Sequence, residues 1–278
     1  MSKKKNKKLR ASIYALLFAA FVGLAFAYQK QIIRYSYKAY RYYRKQFRHP
    51  RKGKFQTITF PETYNVHGID VSHHQEIIDW NQLKTKDEFG DTIAFRFAFI
   101  KATEGSWSVD VAFADNWEEA HENKIICGAY HYFLADKDPV KQAQNFCSTV
   151  DLKAGDFPPV IDIEETRGKS KAEIVAAVKV MAEILDKRYG AKPIIYSNIS
   201  FIEDYLADDF SDYYFWVAHY YEEELHIADE VHWIFWQHND KAMIFGCDNS
   251  LDVNVFNGNM TLLKAFLLKG QPVIRPAE

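Results

Sequence analysis

The rhythm of hydrophobic and polar positions changes at Val66. From there on, short apolar runs rich in β-branched and aromatic residues alternate with longer segments of helical periodicity. Eight runs predict strands: 66–71, 93–101, 125–133, 160–164, 193–196, 214–219, 232–237 and 251–255. The clearest helix is predicted over 170–189, where Ile174, Val175, Val178, Met181, Ala182 and Leu185 share a face and Gly190 supplies a stop. Weaker helical patterns cover 110–123 and 139–149. Strand, helix and strand in succession imply parallel strands joined by crossover helices, so the predicted fold class is α/β, a compact β/α barrel. The connections among the last three strands look too irregular for full helices. The chemistry of such a barrel is expected at the C-terminal ends of its strands.

Before Val66 the pattern is different. Six basic residues lie within the first ten, and residues 11–27 form a charge-free apolar run. As a helix this run reaches about 26 Å, close to the ~30 Å hydrocarbon core of a bilayer. Tyr14 and Tyr28 stand near its ends, where interfacial aromatics are favoured. One reading is a cytoplasmic basic tail at 1–10 followed by a transmembrane signal anchor at 11–28. The other is a signal peptide cleaved near Ala27, because Ala25-Phe26-Ala27 has the small-x-small form. Both export the bulk of the chain. It is expected as a single-pass membrane protein with its body on the periplasmic or extracytoplasmic face, or as a secreted protein. Residues 29–62 read as a basic, aromatic linker, either lying along a lipid surface or acting as a solvated spacer. The body is then 63–278.

Charge sharpens this division. Residues 1–54 hold 16 of the 35 Lys and Arg and no Asp or Glu, leaving 19 basic against 37 acidic residues beyond them, a net of −18. A body this acidic is not expected to bind nucleic acid through its phosphates. Cys127, Cys147 and Cys247 show no metal-type spacing, and Cys127, inside an apolar run, reads as a buried free thiol.

Acids recur at the predicted strand ends: Asp70, Glu104, Asp162, Glu164 and Asp252. A lone acid there is ordinarily a turn or cap residue. Asp162 and Glu164 are the sharpest pair, because residues two apart on a strand share a face. Two carboxyls so close cannot both ionise freely, so the pKa of one should rise. Glycoside hydrolysis needs such a pair: a protonated carboxyl to donate to the leaving oxygen, and an ionised one to support or attack the oxocarbenium-like centre. A hard-cation site is the main chemical alternative. His73 and His74 are adjacent and on an extended chain would point apart. Tyr132, Tyr196 and Trp216, near strand ends, are candidates to line a sugar groove.

The ordered motifs His67-Gly68-Ile69-Asp70-Val71-Ser72, Phe99-Ile100-Lys101-Ala102-Thr103-Glu104-Gly105, Gly128-Ala129-Tyr130-His131-Tyr132-Phe133, Asp162-Ile163-Glu164, Ile195-Tyr196-Ser197, Trp216-Val217-Ala218-His219-Tyr220, Trp236-Gln237 and Leu251-Asp252-Val253-Asn254-Val255-Phe256 resemble family 25 of the glycoside hydrolases, the N-acetylmuramidase lysozymes. The resemblance implies an irregular (β/α) barrel of about five β/α units plus three further strands. It also implies hydrolysis of the β-1,4 bond after N-acetylmuramic acid in peptidoglycan. Glu164 is the implied general acid, with Asp70, Asp162 and Asp252 completing the acidic floor and Glu104, Tyr132, Tyr196, Trp216 and Gln237 contacting substrate. The attacking group is an Asp carboxylate or the substrate's own 2-acetamido group, oriented by Asp162. No metal or organic cofactor is implied. The expected partners are peptidoglycan glycan strands and, through the N-terminal helix, a membrane, with the protein acting as a monomer. The run Ser106-Trp107-Ser108-Val109-Asp110 and His219 depart from the usual family pattern. A non-catalytic wall-binding module on a membrane tether is the rival reading.

Overall fold

The computed structural model describes residues 28–47, 58–86 and 92–269, together with Tyr14 and Phe18. The predicted tail at 1–10 and nearly all of the predicted membrane segment at 11–28 lie outside the described residues. Among the described residues, no helix is long and apolar enough to cross a membrane. The chain divides into two compact units, Met1–Pro50 and Arg51–Glu278. In the first, part of the predicted linker is helix α1 (Gln29–Phe47), which leaves Tyr35, Tyr42 and Tyr43 exposed.

The second unit runs β1 (His67–Val71), β2 (Lys84–Lys86), β3 (Thr92–Glu104), β4 (Ser108–Val109), α2 (Phe113–Glu122), β5 (Ile126–Tyr132), α3 (Pro139–Thr149), β6 (Val160–Asp162), α4 (Lys171–Tyr189), β7 (Ile194–Asn198), β8 (Phe215–Ala218), β9 (Trp233–Ala242), β10 (Leu251–Phe256) and α5 (Met260–Phe266). The strands from β3 through β5, β6, β7 and β8 to β9 pair in parallel, and a parallel β1–β3 pairing helps close the sheet into a barrel. All eight predicted strands are staves of this barrel.

The expectation of parallel strands fails at β10, which runs antiparallel to both β1 and β9. No crossover helix joins β9 to β10, so the chain turns straight back. The first β/α unit also lacks an α-helix. After β1 come only 3-10 turns and the short β2, because a Ser72–Gln75 capping box closes a tight turn at once. The helix expected over 110–123 begins only at Phe113, because the Asp110 carboxylate accepts the Ala112 N–H at 2.9 Å and holds that stretch as a turn. Helix α4 matches its sequence signals. Ser170 and Glu173 form a capping box, and Gly190 ends the helix in the left-handed conformation at φ 70°.

Strand alternation separates two apolar layers. Ile69, Ala98, Ile100, Ala129, Ile161, Ile195, Val217 and Val253 point outward and pack in the cluster that includes Ile174, Val178, Met181 and Leu185 of α4. Phe97, Phe99, Val160, Ile194, Trp216, Phe235 and Phe256 point inward and fill one end of the barrel, joined by Phe157 and by Leu263 of α5. Room for this plug is made by small residues on the neighbouring strands. A Cβ on Gly68 would collide with the Phe97 ring, and one on Gly128 with the Phe99 ring. The plug occupies the end where the parallel strands begin, so an opening is left only where they finish.

Candidate active site

One residue further along the inward-facing series, the chemistry changes. On β1, Gly68 is followed by Asp70; on β6, Val160 by Asp162; on β9, Phe235 by Gln237. On β10, which runs the other way, Phe256 is preceded by Asn254 and Asp252. These side chains surround a cavity of about 320 Å³ lined by Asp70, Tyr130, Asp162, Glu164, Tyr196, Trp216, Tyr220, Gln237, Asp240 and Asp252. All four acids expected in the floor therefore meet in one place. Strand β6 stops at Asp162, so Glu164 lies just beyond its end rather than on it, although the Ile163 N–H still donates to the Tyr196 carbonyl at 3.0 Å. Asp70 and Asp162 are buried, whereas Glu164 and Asp252 are half-buried and open to the cavity.

Asp70 and Asp252 face each other across the antiparallel β1–β10 pair. Asp70 Oδ2 accepts Asn254 Nδ2–H at 2.7 Å and Gln237 Nε2–H at 2.8 Å. Burial pushes Asp70 up to about 6, against the pull of these bonds. Burial and then the Asp70 charge push Asp252 up to about 9. The two N–H donors favour the charged form of Asp70, whereas the Asp70 charge favours the neutral form of Asp252. Burial, then the Glu164 charge, holds Asp162 well above the usual carboxylate range, and burial raises Glu164 as well. Both members of the Asp162/Glu164 pair are thus raised, the direction their spacing predicts. Asp162 Oδ1 is buried with no hydrogen-bond partner.

The other expected contacts divide in two. Tyr132 and Glu104 lie beside the acids at the ends of their strands, Tyr132 level with Asp162 and Glu104 level with Tyr132. Lys101 ties them together: its Nζ donates to Glu104 at 2.7 Å and sits 4.8 Å from the Tyr132 ring centroid. Tyr196, Trp216 and Gln237 are deeper than a sugar platform requires. Trp216 is 2% exposed and stacked on Phe99 with centroids 4.4 Å apart, while its indole N–H donates to Asn254 at 2.7 Å. Gln237 Oε1 accepts the Tyr196 and Tyr220 hydroxyls, each at 2.8 Å. All three nevertheless line the cavity, where they form the wall around Asp70.

His73 and His74 do not point apart. The 3-10 turn brings their rings to 4.0 Å, and His73 Nδ1 lies 2.7 Å from the Asp110 carboxylate. Among the described residues, no group of three His, Cys, Asp or Glu side chains is arranged to hold a metal ion. Cys127 is buried and unbridged, as its apolar setting predicts, and Cys147 and Cys247 are also free thiols. His219 is half-buried, and its carbonyl accepts the Trp236 indole N–H at 2.6 Å.

The reading of strand-end acids did not single out Asn254, Asp240 and Lys101. Asn254 was accessible to the rule of two: counting from Asp252 along the same strand places it on the same face. Tyr130 and Tyr132 bear the same relation. Asp240 lies on β9 beyond an irregularity in its pairing with β10, which breaks the count of two from Gln237.

The sequence profile described as glycosyl hydrolases family 25 matches residues 69–247, which hold three of the four acids. YegX of Escherichia coli (strain K12) is 43% identical over 217 residues, covering 78% of this chain and 79% of YegX. Lysozyme M1 of Streptomyces globisporus is 30% identical, covering 76% of this chain and 74% of its own length. Among solved structures, a family 25 glycosyl hydrolase from Bacillus anthracis superposes with a TM-score of 0.66 at 29% identity, covering 78% of this chain and 99% of the other. The barrel with its antiparallel closing strand and the profile match agree: the chain belongs to family 25 of the glycosyl hydrolases.

Proposed function

We propose that this glycoside hydrolase cuts the β-1,4 bond between N-acetylmuramic acid and N-acetylglucosamine in bacterial peptidoglycan, acting as a monomer. The observation that carries the reading is the convergence of Asp70, Asp162, Glu164 and Asp252 on one cavity, where burial raises all four carboxyls. Relatives named as lysozymes supply the substrate class.

Glu164 is the general acid. It is the more accessible member of the pair and burial raises its carboxyl, so the leaving glycosidic oxygen reaches it first. Asp162 supports the other face of the reaction. Its buried, unpartnered Oδ1 is a ready acceptor for the N–H of the substrate's 2-acetamido group, which favours attack by that group's oxygen. Asp70, fixed by Asn254 and Gln237, supplies negative charge under the developing cation. The residues 11–28 either anchor the protein, with the barrel on the exported side, or are removed near Ala27. A reporter fused after residue 60 and N-terminal sequencing of the mature protein separate these two fates.

The test of activity uses full-length protein and purified peptidoglycan, followed by borohydride reduction and mass spectrometry. Reduced N-acetylmuramic acid ends that vanish with Glu164→Gln support the reading. Reduced N-acetylglucosamine ends overturn the bond assignment. Binding without new ends leaves the wall-binding module as the function.

A further inference from the structure

Trp107 is out of place for a folded domain. It is 75% exposed, whereas Trp80, Trp216 and Trp236 are buried and Trp117 and Trp233 half-buried. An indole left in water forgoes one of the largest apolar contributions a side chain can make. The turn that carries it is not loose. Gly105, at φ 55°, donates its N–H to the Tyr132 carbonyl at 3.1 Å. The buried Asn145 of α3 reaches up and donates from Nδ2 to the carbonyls of Gly105 at 3.0 Å and Ser108 at 2.9 Å. The β3–β4 pairs Thr103–Val109 and Glu104–Ser108 close the hairpin. A bonded turn on both flanks thus presents a bare indole.

The place of the turn gives it a direction. Asp162 is level with Tyr132, Tyr132 with Glu104, and Glu104 with Ser108, on four strand ends side by side. Strand β4 takes the edge of β3 that β1 leaves unpaired beyond Val71. At ~4.8 Å per strand, the Trp107 turn stands about 14 Å along this row from Asp162. Between them lie the half-buried Tyr132 ring and the Lys101–Glu104 pair. The row leads outward from the acids along the open face of the barrel.

We propose that Trp107 is a sugar-stacking platform at a distal subsite, holding a pyranose ring of the glycan strand several units from the bond that is cut. This rests on the reading that the cavity cleaves a glycan. A flat aromatic face suits the apolar face of a pyranose, and rigid presentation removes the entropic cost of ordering it on binding. Trp107 touches neither Asp162 nor Glu164, so it acts through the position of the strand and favours long chains over short ones.

The experiment compares wild type, Trp107→Ala and Trp107→Phe on short peptidoglycan oligosaccharides and on long glycan strands. For Trp107→Ala the preference for long over short substrate is expected to fall about fivefold to tenfold, through KM with kcat nearly constant. Trp107→Phe is expected to recover most of it. Far-UV circular dichroism and melting of both variants check that the fold persists. An undiminished chain-length preference in Trp107→Ala, with wild type active, overturns the platform while leaving the glycosidase reading intact. A kcat loss equal on both substrates overturns it as well. Wild type inactive on every glycan overturns the underlying reading, and the platform with it.

Discussion

The two ends of the barrel interior are built by the same strands under the same alternation, yet they do opposite things. The closed end is an aromatic plug in which Phe97, Phe99, Phe157 and Phe235 meet edge to face or tilted, with ring centroids 4.9–5.8 Å apart. The open end is a cavity of carboxyls. The change takes one inward step, Phe to Gln on β9 or Val to Asp on β6. The difference shows that acid chemistry here is made by what lies beneath it. The plug removes water from below, so Asp70 and Asp162 are desolvated on the side where a shallow surface site would be wet. The bonds from Asn254 and Gln237 then decide which acid keeps its charge. Trp216 belongs to both ends, stacked on Phe99 and bonded through Asn254 to Asp70.

This comparison is broken most sharply at Glu164. Glu164→Gln is expected to lower kcat by about 10²–10⁴-fold with no loss of melting temperature, since it removes the proton donor and no packed ring. Phe99→Ala does the reverse. It is expected to cost about 3–5 kcal/mol in denaturant unfolding, because the plug loses a ring that touches Phe97, Phe157, Trp216 and Phe235. If Glu164→Gln destabilised as much as Phe99→Ala, the two ends would not be separable.

Asp252→Asn should stabilise. A carboxyl raised to about 9 in the fold binds its proton more tightly there than in the unfolded chain. Its contribution is complete in acid and is lost as pH rises from the ordinary carboxylate range towards 9. The Asn variant escapes that loss, so its advantage in melting temperature is absent near pH 4 and grows steadily as pH rises towards 9. The smallest effect is expected at Asn254. Its bond lowers Asp70, so Asn254→Ala raises Asp70 from about 6. A bond worth about 1 kcal/mol corresponds to about 0.7 of a pH unit, by which the acid limb of kcat/KM moves upward.

The staves of the barrel were legible because each is a short β-prone run with two buried faces, and the four acids because they stand where such runs end. Strand direction was not. Nothing in 251–255 itself says that it runs backwards; only the short connection from β9 does. Depth was also hidden. Periodicity puts Trp216 and Gln237 on the inner face but not at a level, so their depth in the cavity wall was not legible. His73 and His74 were misread because an extended chain was assumed where Ser72 and Gln75 carry the signature of a capping box.

Helix α5 adds a practical consequence. Leu263 is fully buried in the plug, and the Phe266 ring lies 6.4 Å from that of Phe157. The helix is thus the stopper of the closed pole. Trimming the chain back to Asn257 would therefore uncork the barrel from behind, leaving the acids in place above a floor open to water.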